Sequence, residues 1–148
     1  MGGATGLSQQ QLLALDRIGK LPQAKMLNLA SGSAIAVHFA HRRSADLDIF
    51  SLTLDVDLHA VRASLAMSVP SFVVRGETDL TLTVAADGAI IDFVRDPYTP
   101  LEPPRPGPGD VLLASVRDLG AMTPALWKRV RTYFAREAPR LLQEVTRA

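Results

Sequence analysis

Three short strand-like segments follow one another in the middle of the chain, and they constrain the fold more than any other feature. Residues 69–75, 79–85 and 89–94 are rich in apolar and β-branched side chains. Gly76 lies between the first two segments, and the pair Asp87-Gly88 lies between the second and the third. Both connections use residues that favour tight turns, so the pattern predicts an antiparallel meander of three strands.

The part of the chain before this meander alternates between helix and strand patterns. Ser8 and Gln11 are spaced as a capping box at the start of a helix, and Gly19 is a natural stop for that helix. The elements predicted after it are a strand at 26–29, a helix from 31 to about 41, a strand at 46–50 and a helix at 57–67. This order predicts an α+β fold with a mixed or antiparallel sheet and helices gathered on one side.

Prolines recur between residues 97 and 108, where Gly107 and Gly109 also interrupt any regular pattern. Proline cannot donate to a strand ladder and resists helix, so residues 97–109 are predicted to be a loop or linker. We expect residues 1–96 to form the core of the domain. Residues 110–148 are expected to add a strand and C-terminal helices packed on that core, with Asp118 as a candidate cap.

Composition narrows the class of protein. The chain has 148 residues with Lys+Arg 16 and Asp+Glu 15, and its net charge of +1 gives no support for a protein held on nucleic acid mainly through phosphate contacts. Cysteine is absent, which excludes disulfides and thiolate metal sites. With neither a signal-peptide pattern nor an apolar run of membrane-spanning length, we expect a soluble, cytoplasmic protein with no membrane partner.

A Gly-Ser pair is the first candidate binding feature. Gly32 and Ser33 stand where a predicted helix begins, shortly after the predicted strand at 26–29. The free N–H groups of a helix N-terminus, next to a glycine that has no side chain, form a place for phosphate. Strand–helix junctions also use Gly-Ser simply to make the turn, and the pair alone does not decide between these two interpretations.

Two carboxylates one residue apart form the second feature. Asp46 and Asp48 flank Leu47 in a predicted strand, so the alternation of the strand places both on one face. Close carboxylates repel one another unless they are protonated or bridged by a cation, and hard oxygen ligands suit Mg²⁺. The alternative is a solvated strand face, or surface ion pairs with Arg42 and Arg43.

A third carboxylate lies among apolar residues. Asp92 stands inside the third strand of the meander, between Ile91 and Phe93. A carboxylate in such surroundings is costly to desolvate unless a charge lies opposite, and a metal ion shared with Asp46 and Asp48 would supply that charge. The alternative is an aspartate on an edge strand that faces water. The three aspartates together are the predicted catalytic and metal-binding residues.

The sequence around these features resembles a known family. The stretch 29–51, which contains His-Arg-x-Ser-x-Asp-Leu-Asp ending at Asp48, looks like the signature of the AbiEii/AbiGii-type nucleotidyltransferase toxins. A weaker similarity extends through Asp92-Phe93 and 113–122. The resemblance implies the polymerase-β-like nucleotidyltransferase fold and Mg²⁺-dependent transfer of a nucleoside monophosphate from a nucleoside triphosphate to an RNA or protein hydroxyl. It also implies a cognate antitoxin as a partner.

Carried over residue by residue, the family pattern implies a role for each candidate. Gly32-Ser33 would hold the triphosphate. Independently of the resemblance, the charges of Arg42 and Arg43 would attract the triphosphate or an RNA acceptor, or would only pair with Asp46 and its neighbours. Asp46 and Asp48 would ligate Mg²⁺, and Asp92 would be a third ligand or the base for the attacking hydroxyl. A two-metal site of this kind would stabilise the attacking and leaving oxygens of an in-line displacement at the α-phosphate.

The C-terminal half departs from that family pattern. Family members continue after a motif like Ala121-Met122 with a lysine and, further on, a helix that carries a basic-Asp-x-x-Asp sequence. Here residues 123–126 are Thr-Pro-Ala-Leu, and no aspartate follows Asp118. This departure supports a second hypothesis: a catalytically degenerate module of the same fold that binds a nucleotide, an antitoxin or another protein partner without turnover.

Overall fold

The computed structural model of the chain describes residues 6–39, 45–95 and 100–120. In these ranges the helices α1 to α4 are Gln9–Gly19, Ser31–Phe39, Leu58–Ser68 and Val116–Gly120. The strands β1 to β7 are Leu27–Leu29, Leu47–Ser51, Phe72–Glu77, Thr81–Ala86, Ala89–Val94, Arg105–Pro106 and Leu112–Leu113, with short 3₁₀ turns at Ala24–Met26 and Pro108–Asp110. None of the described helices has the length and apolarity needed to cross a membrane.

The described strands form one mixed sheet in the order β3-β4-β5-β2-β1-β7-β6. The predicted meander is present as β3, β4 and β5, which pair antiparallel. Strand β2 pairs parallel to β5 and antiparallel to β1, and β7 and β6 extend the sheet beyond β1. The prediction of an α+β fold with a mixed sheet is therefore confirmed.

Several local signals that mark the ends of elements are confirmed. The Ser8 hydroxyl accepts a hydrogen bond from Gln11 N–H at 3.1 Å, and Gln11 Oε1 accepts one from Ser8 N–H at 2.9 Å, which completes the capping box of α1. Helix α1 ends at Gly19, as predicted. Asp87 and Gly88 both have left-handed φ angles, 53° and 82°, as a two-residue hairpin turn between β4 and β5 requires.

The connection between β3 and β4 differs from the prediction, which placed Gly76 in a tight turn. Gly76 lies inside β3, at a register shift that follows Val74, because a glycine within a strand accommodates a β-bulge. The turn comes after the end of β3. There the Thr78 hydroxyl accepts hydrogen bonds from the N–H groups of Leu80 at 3.2 Å and Thr81 at 3.0 Å, so the turn amides are satisfied without a glycine.

One face of the sheet carries the hydrophobic core. Every second residue of β4 and β5 is buried, and the buried residues pair across the strands as Leu82 with Phe93 and Val84 with Ile91. Ile49 of β2 continues this face beside Phe93. Helices α1 and α3 contact β5 and β4 and cover this face, and burial of each large apolar side chain contributes about 1.5–3 kcal/mol. The alternate residues of β4 and β5, which include Ala85 and Ile90, point to the opposite face and are half-buried.

The Pro/Gly-rich stretch packs closely against α1, although its sequence indicates only a loop or linker. It contains the short strand β6, which tolerates proline because β6 is at the end of the described sheet. The 3₁₀ turn that follows lies on α1. A Cβ atom built on Gly109 would lie 2.6 Å from Asp16 N, and one built on Gly19 would collide with Gly109 O. Backbone contact between these glycines therefore fixes the turn on the helix.

Candidate functional site

The turn between β1 and α2 has an unusual backbone. Ser31, the first residue of α2, has a φ angle of 54°, in the left-handed region that residues other than glycine rarely adopt. This conformation costs roughly 1–2 kcal/mol, which the surrounding structure offsets. Gly32 follows at the start of the helix. A left-handed residue followed by helical ones turns successive N–H groups towards one point, and this arrangement suits an anion.

The Ser33 hydroxyl joins this turn to β2. Ala30 N–H, just beyond the end of β1, donates to Asp48 C=O at 2.9 Å. In a regular antiparallel pair, Asp48 N–H would return the bond to Ala30 C=O. Ser33 Oγ stands between them instead, accepting from Asp48 N–H at 2.9 Å and donating to Ala30 C=O at 3.0 Å. Because Ser33 is fully buried, this relay ties the start of α2 to the backbone of Asp48.

Three polar side chains form a row on the sheet face opposite the α1 and α3 side. Asp48 of β2 lies in register with Asp92 of β5, and Asp92 lies in register with Thr83 of β4. Adjacent strands lie about 4.8 Å apart, so the two carboxylates are cross-strand neighbours. The Thr83 hydroxyl donates to Asp92 Oδ1 at 2.6 Å, and Asp48 is only 7% exposed. Two neighbouring carboxylates that are partly withdrawn from water favour the binding of a cation between them.

The turn that starts α2 and the carboxylate pair are thereby joined at one place. Ser33 contacts the backbone of Asp48 directly, and Gly32 is the residue before Ser33 in the turn. A phosphate chain held by the N-terminus of α2 would lie beside the amino end of β2. The geometry is suited to phosphoryl chemistry, in which charge on phosphate oxygens is neutralised by metal ions held on carboxylates.

Comparison with known proteins identifies the fold. Neither a protein-family model nor a curated protein sequence matches the chain. Its structure is similar to the crystal structure of ANT(2″)-Ia in complex with adenylyl-2″-tobramycin, with a TM-score of 0.51 and 14% sequence identity over 94% of this chain and 97% of that chain. ANT(2″)-Ia is an aminoglycoside nucleotidyltransferase. The chain has the polymerase-β-like nucleotidyltransferase fold.

Within this nucleotidyltransferase fold, two of the three predicted carboxylates come together. Asp48 and Asp92 are neighbours on adjacent strands, whereas Asp46 is half-buried and lies one residue before the start of β2. In the part of the chain that the structure describes, no three Asp, Glu or His side chains are grouped so as to hold a metal ion. Metal binding by all three aspartates stays a prediction.

Two features that the sequence predicts for the site lie outside the described residues. One is Arg43, the predicted triphosphate-binding arginine, and the other is the segment after residue 120, where the sequence departs from the family pattern. Gly32 and Ser33 are described, and their roles in holding phosphate stay predictions.

The short helix α4 is capped by Ser115 and not by Asp118, the candidate that the sequence suggested. Ser115 Oγ accepts from Asp118 N–H at 3.0 Å and donates to Asp118 Oδ2 at 2.7 Å. The buried Asp118 carboxylate also accepts from the N–H groups of Leu101 at 2.6 Å and Glu102 at 3.2 Å. Asp118 therefore fastens the chain at Leu101 and Glu102 to α4.

A cavity of about 480 Å³ lies at the carboxyl ends of β2 and β5, where it is lined by residues 54–59, Thr78, Asp79 and Arg95. Neither Asp48 nor Asp92 lines it. The turn at Gly32 is at the amino end of β2, so this cavity is separate from the carboxylate pair.

Thr83 belongs to the carboxylate row, although no sequence motif singled it out. A usable signal was present in the hairpin. Counting outward from the two-residue turn pairs Ala86 with Ala89 and, three steps further, Thr83 with Asp92. The contact between Ser33 and the backbone of β2 has no comparable signal, because it depends on where β1 ends in three dimensions.

Proposed function

We propose that this chain is a Mg²⁺-dependent nucleotidyltransferase of the AbiEii/AbiGii toxin type, which transfers a nucleoside monophosphate from a nucleoside triphosphate to a hydroxyl of RNA or protein. The observation that carries the proposal is the cross-strand pair Asp48 and Asp92 beside the turn that starts α2. The polymerase-β-like fold supports it. So does ANT(2″)-Ia, whose bound adenylyl-2″-tobramycin is a nucleotidylated acceptor.

The triphosphate would be held at the N-terminus of α2. Gly32 has no side chain to block its approach, and the N–H groups and dipole of the helix end favour an anion. The Ser33 hydroxyl is already engaged between two backbone groups, so we expect Ser33 to contact phosphate through its own N–H. Arg43 is proposed to add positive charge near the triphosphate.

The carboxylates fit a magnesium ion. Mg²⁺ takes oxygen ligands, and in nucleotide sites one or two carboxylates commonly share it with substrate phosphates and water. Asp48 and Asp92 supply such a pair, and Asp46 is proposed as a further ligand. When bound, Mg²⁺ would neutralise charge on the triphosphate and on the departing pyrophosphate.

The proposed reaction forms a bond from the acceptor oxygen to the α-phosphorus and breaks the bond between the α- and β-phosphates, so that pyrophosphate leaves. The acceptor hydroxyl loses its proton in this step. Asp92 is proposed either as the base that takes this proton or as a metal ligand, in which case the proton passes to water. In such reactions positioning and charge neutralisation supply most of the rate enhancement, so few side chains are needed.

A transfer assay tests the proposal. Each nucleoside triphosphate, labelled at the α-phosphate, is incubated with the full chain, Mg²⁺ and either RNA, cell protein or tobramycin. The wild type should label RNA or protein, and Asp48→Asn should reduce the rate by about 100-fold or more. The matched control Asp79→Asn changes an exposed carboxylate away from Asp48 and Asp92 and should retain full activity.

The outcomes of this assay separate the parts of the proposal. Labelling of tobramycin alone would support nucleotidyl transfer as the reaction and would contradict RNA or protein as the acceptor. Equal rates for the wild type and Asp48→Asn would show that the carboxylate pair is not the metal site.

The second candidate function is a nucleotidyltransferase-fold module that binds a nucleotide, an antitoxin or another protein without turnover. The observation that favours it is the Thr-Pro-Ala-Leu sequence at 123–126, where the resembled family continues with a lysine. This candidate predicts nucleotide or protein binding by a chain that labels none of the acceptors.

A further inference from the structure

The shortest hydrogen bond at the carboxylate row joins two neighbouring strands. The Thr83 hydroxyl donates to Asp92 Oδ1 at 2.6 Å, within the range of a charge-assisted O–H···O⁻ bond. Both residues are half-buried, so the bond is partly shielded from water. A threonine is well suited to this role because its branched β-carbon leaves few side-chain rotamers open.

The strands on both sides hold these two residues in place. On β4, the neighbours of Thr83 are Leu82 and Val84, which are fully buried in the core. On β5, Asp92 is in register with Thr83 on one side and with Asp48 on the other. The core therefore holds Thr83 in place, and Asp92 lies between Thr83 and Asp48.

We propose that Thr83 is a positioning residue for Asp92, which holds the Asp92 carboxylate in the row with Asp48 so that both act on one Mg²⁺–nucleotide complex. This inference rests on the proposed function of the same site. Removal of a side chain that hydrogen-bonds to a metal-binding carboxylate commonly lowers metal affinity or activity by about 10–100-fold. The role belongs to the hydroxyl and does not require Thr83 to touch the substrate.

The same strand offers a matched control. Thr81 lies two residues before Thr83 on the same face of β4, and it is also half-buried. Its hydroxyl is 2.8 Å from the Thr78 hydroxyl, and its cross-strand partner is Val94. Thr81→Val thus removes a hydroxyl from the same face without removing a partner of Asp92.

The experiment compares Thr83→Val, Thr83→Ser and Thr81→Val with the wild type. Valine keeps the shape of threonine and favours strands, so the Thr83→Val variant should fold, and circular dichroism will check that it does. If Thr83→Val does not fold, Thr83→Ala replaces it in the same measurements. The first readout is the affinity for Mn²⁺ in the presence of a non-hydrolysable nucleoside triphosphate, measured by electron paramagnetic resonance. The second is kcat and the KM for the acceptor.

We expect Thr83→Val to weaken Mn²⁺ binding and to lower kcat by about 10–100-fold, with the acceptor KM unchanged. Thr83→Ser should recover most of both losses, and Thr81→Val should match the wild type. Wild-type Mn²⁺ affinity and kcat in Thr83→Val would overturn the inference and leave the proposed function intact. A wild type that neither binds Mn²⁺ with the nucleotide nor transfers label would overturn both.

Discussion

Replacing Ser33 with alanine removes the hydroxyl that joins the β1–α2 turn to β2. In the wild type this fully buried hydroxyl accepts from Asp48 N–H and donates to Ala30 C=O. Ala30 C=O keeps a partner in the variant, because Ala34 N–H also donates to it at 3.2 Å. The main cost therefore falls on Asp48 N–H, which loses the Ser33 acceptor in a buried position.

The size of the effect follows from these contacts. Loss of the acceptor of a buried N–H costs about 1–3 kcal/mol, and loss of the hydroxyl–carbonyl bond adds about 0.5–1 kcal/mol. We predict that Ser33→Ala lowers the free energy of unfolding by about 1.5–4 kcal/mol, which corresponds to a fall in Tm of roughly 3–16 °C. Metal-dependent nucleotide binding should weaken as well, because the Asp48 backbone loses its tie to α2.

Urea unfolding followed by circular dichroism measures this change, with Ser68→Ala as the control. Ser68 Oγ donates to Ser64 C=O at 3.0 Å at the exposed end of α3, so its loss should change the free energy of unfolding by no more than about 0.5 kcal/mol. If Ser33→Ala is no more destabilising than Ser68→Ala, β1 and β2 pair without the hydroxyl and the reasoning is refuted.

Two further predictions concern the packing around α1. Gly109→Ala places a Cβ atom against the α1 backbone at a φ angle of 65°, and should destabilise the fold by about 2–5 kcal/mol in urea unfolding. The control Gly76→Ala should be close to neutral, because a Cβ atom there would meet nothing within 4 Å. Equal effects of the two substitutions would contradict the contact between Gly109 and α1. Arg17→Met removes the ion pair with Asp87 and the bond to Ser68 C=O, and should cost about 1 kcal/mol or less. That loss should shrink in high salt, and a loss independent of salt would show that the charges do not contribute.

The parts of the fold that could be predicted depend on residues close together in the sequence. The capping box at Ser8 and Gln11 and the hairpin turn at Asp87-Gly88 are complete within a few residues, and both are present as predicted. Gly76 shows the limit of such local signals. A glycine suits both a turn and a β-bulge, and only the pairing of β3 with β4 decides between them.

The candidate site was predictable to the same extent. The residue types and their spacing indicated Asp46, Asp48 and Asp92 as carboxylates of one site. The register of β2 and β5 makes Asp48 and Asp92 neighbours, and the shared metal site stays a prediction. The relay through Ser33 and the packing of Gly109 on α1 were not predictable, because each depends on where one element ends against another that is distant in sequence.

Calorimetric titration of each nucleoside triphosphate, with and without Mg²⁺, into the wild type and Asp48→Asn tests the central claim most directly. The account predicts that the wild type binds a nucleoside triphosphate only when Mg²⁺ is present, and that Asp48→Asn weakens this binding by about tenfold or more. Absence of binding to the wild type, or unchanged binding to Asp48→Asn, would contradict the claim that Asp48 and Asp92 form a metal–nucleotide site.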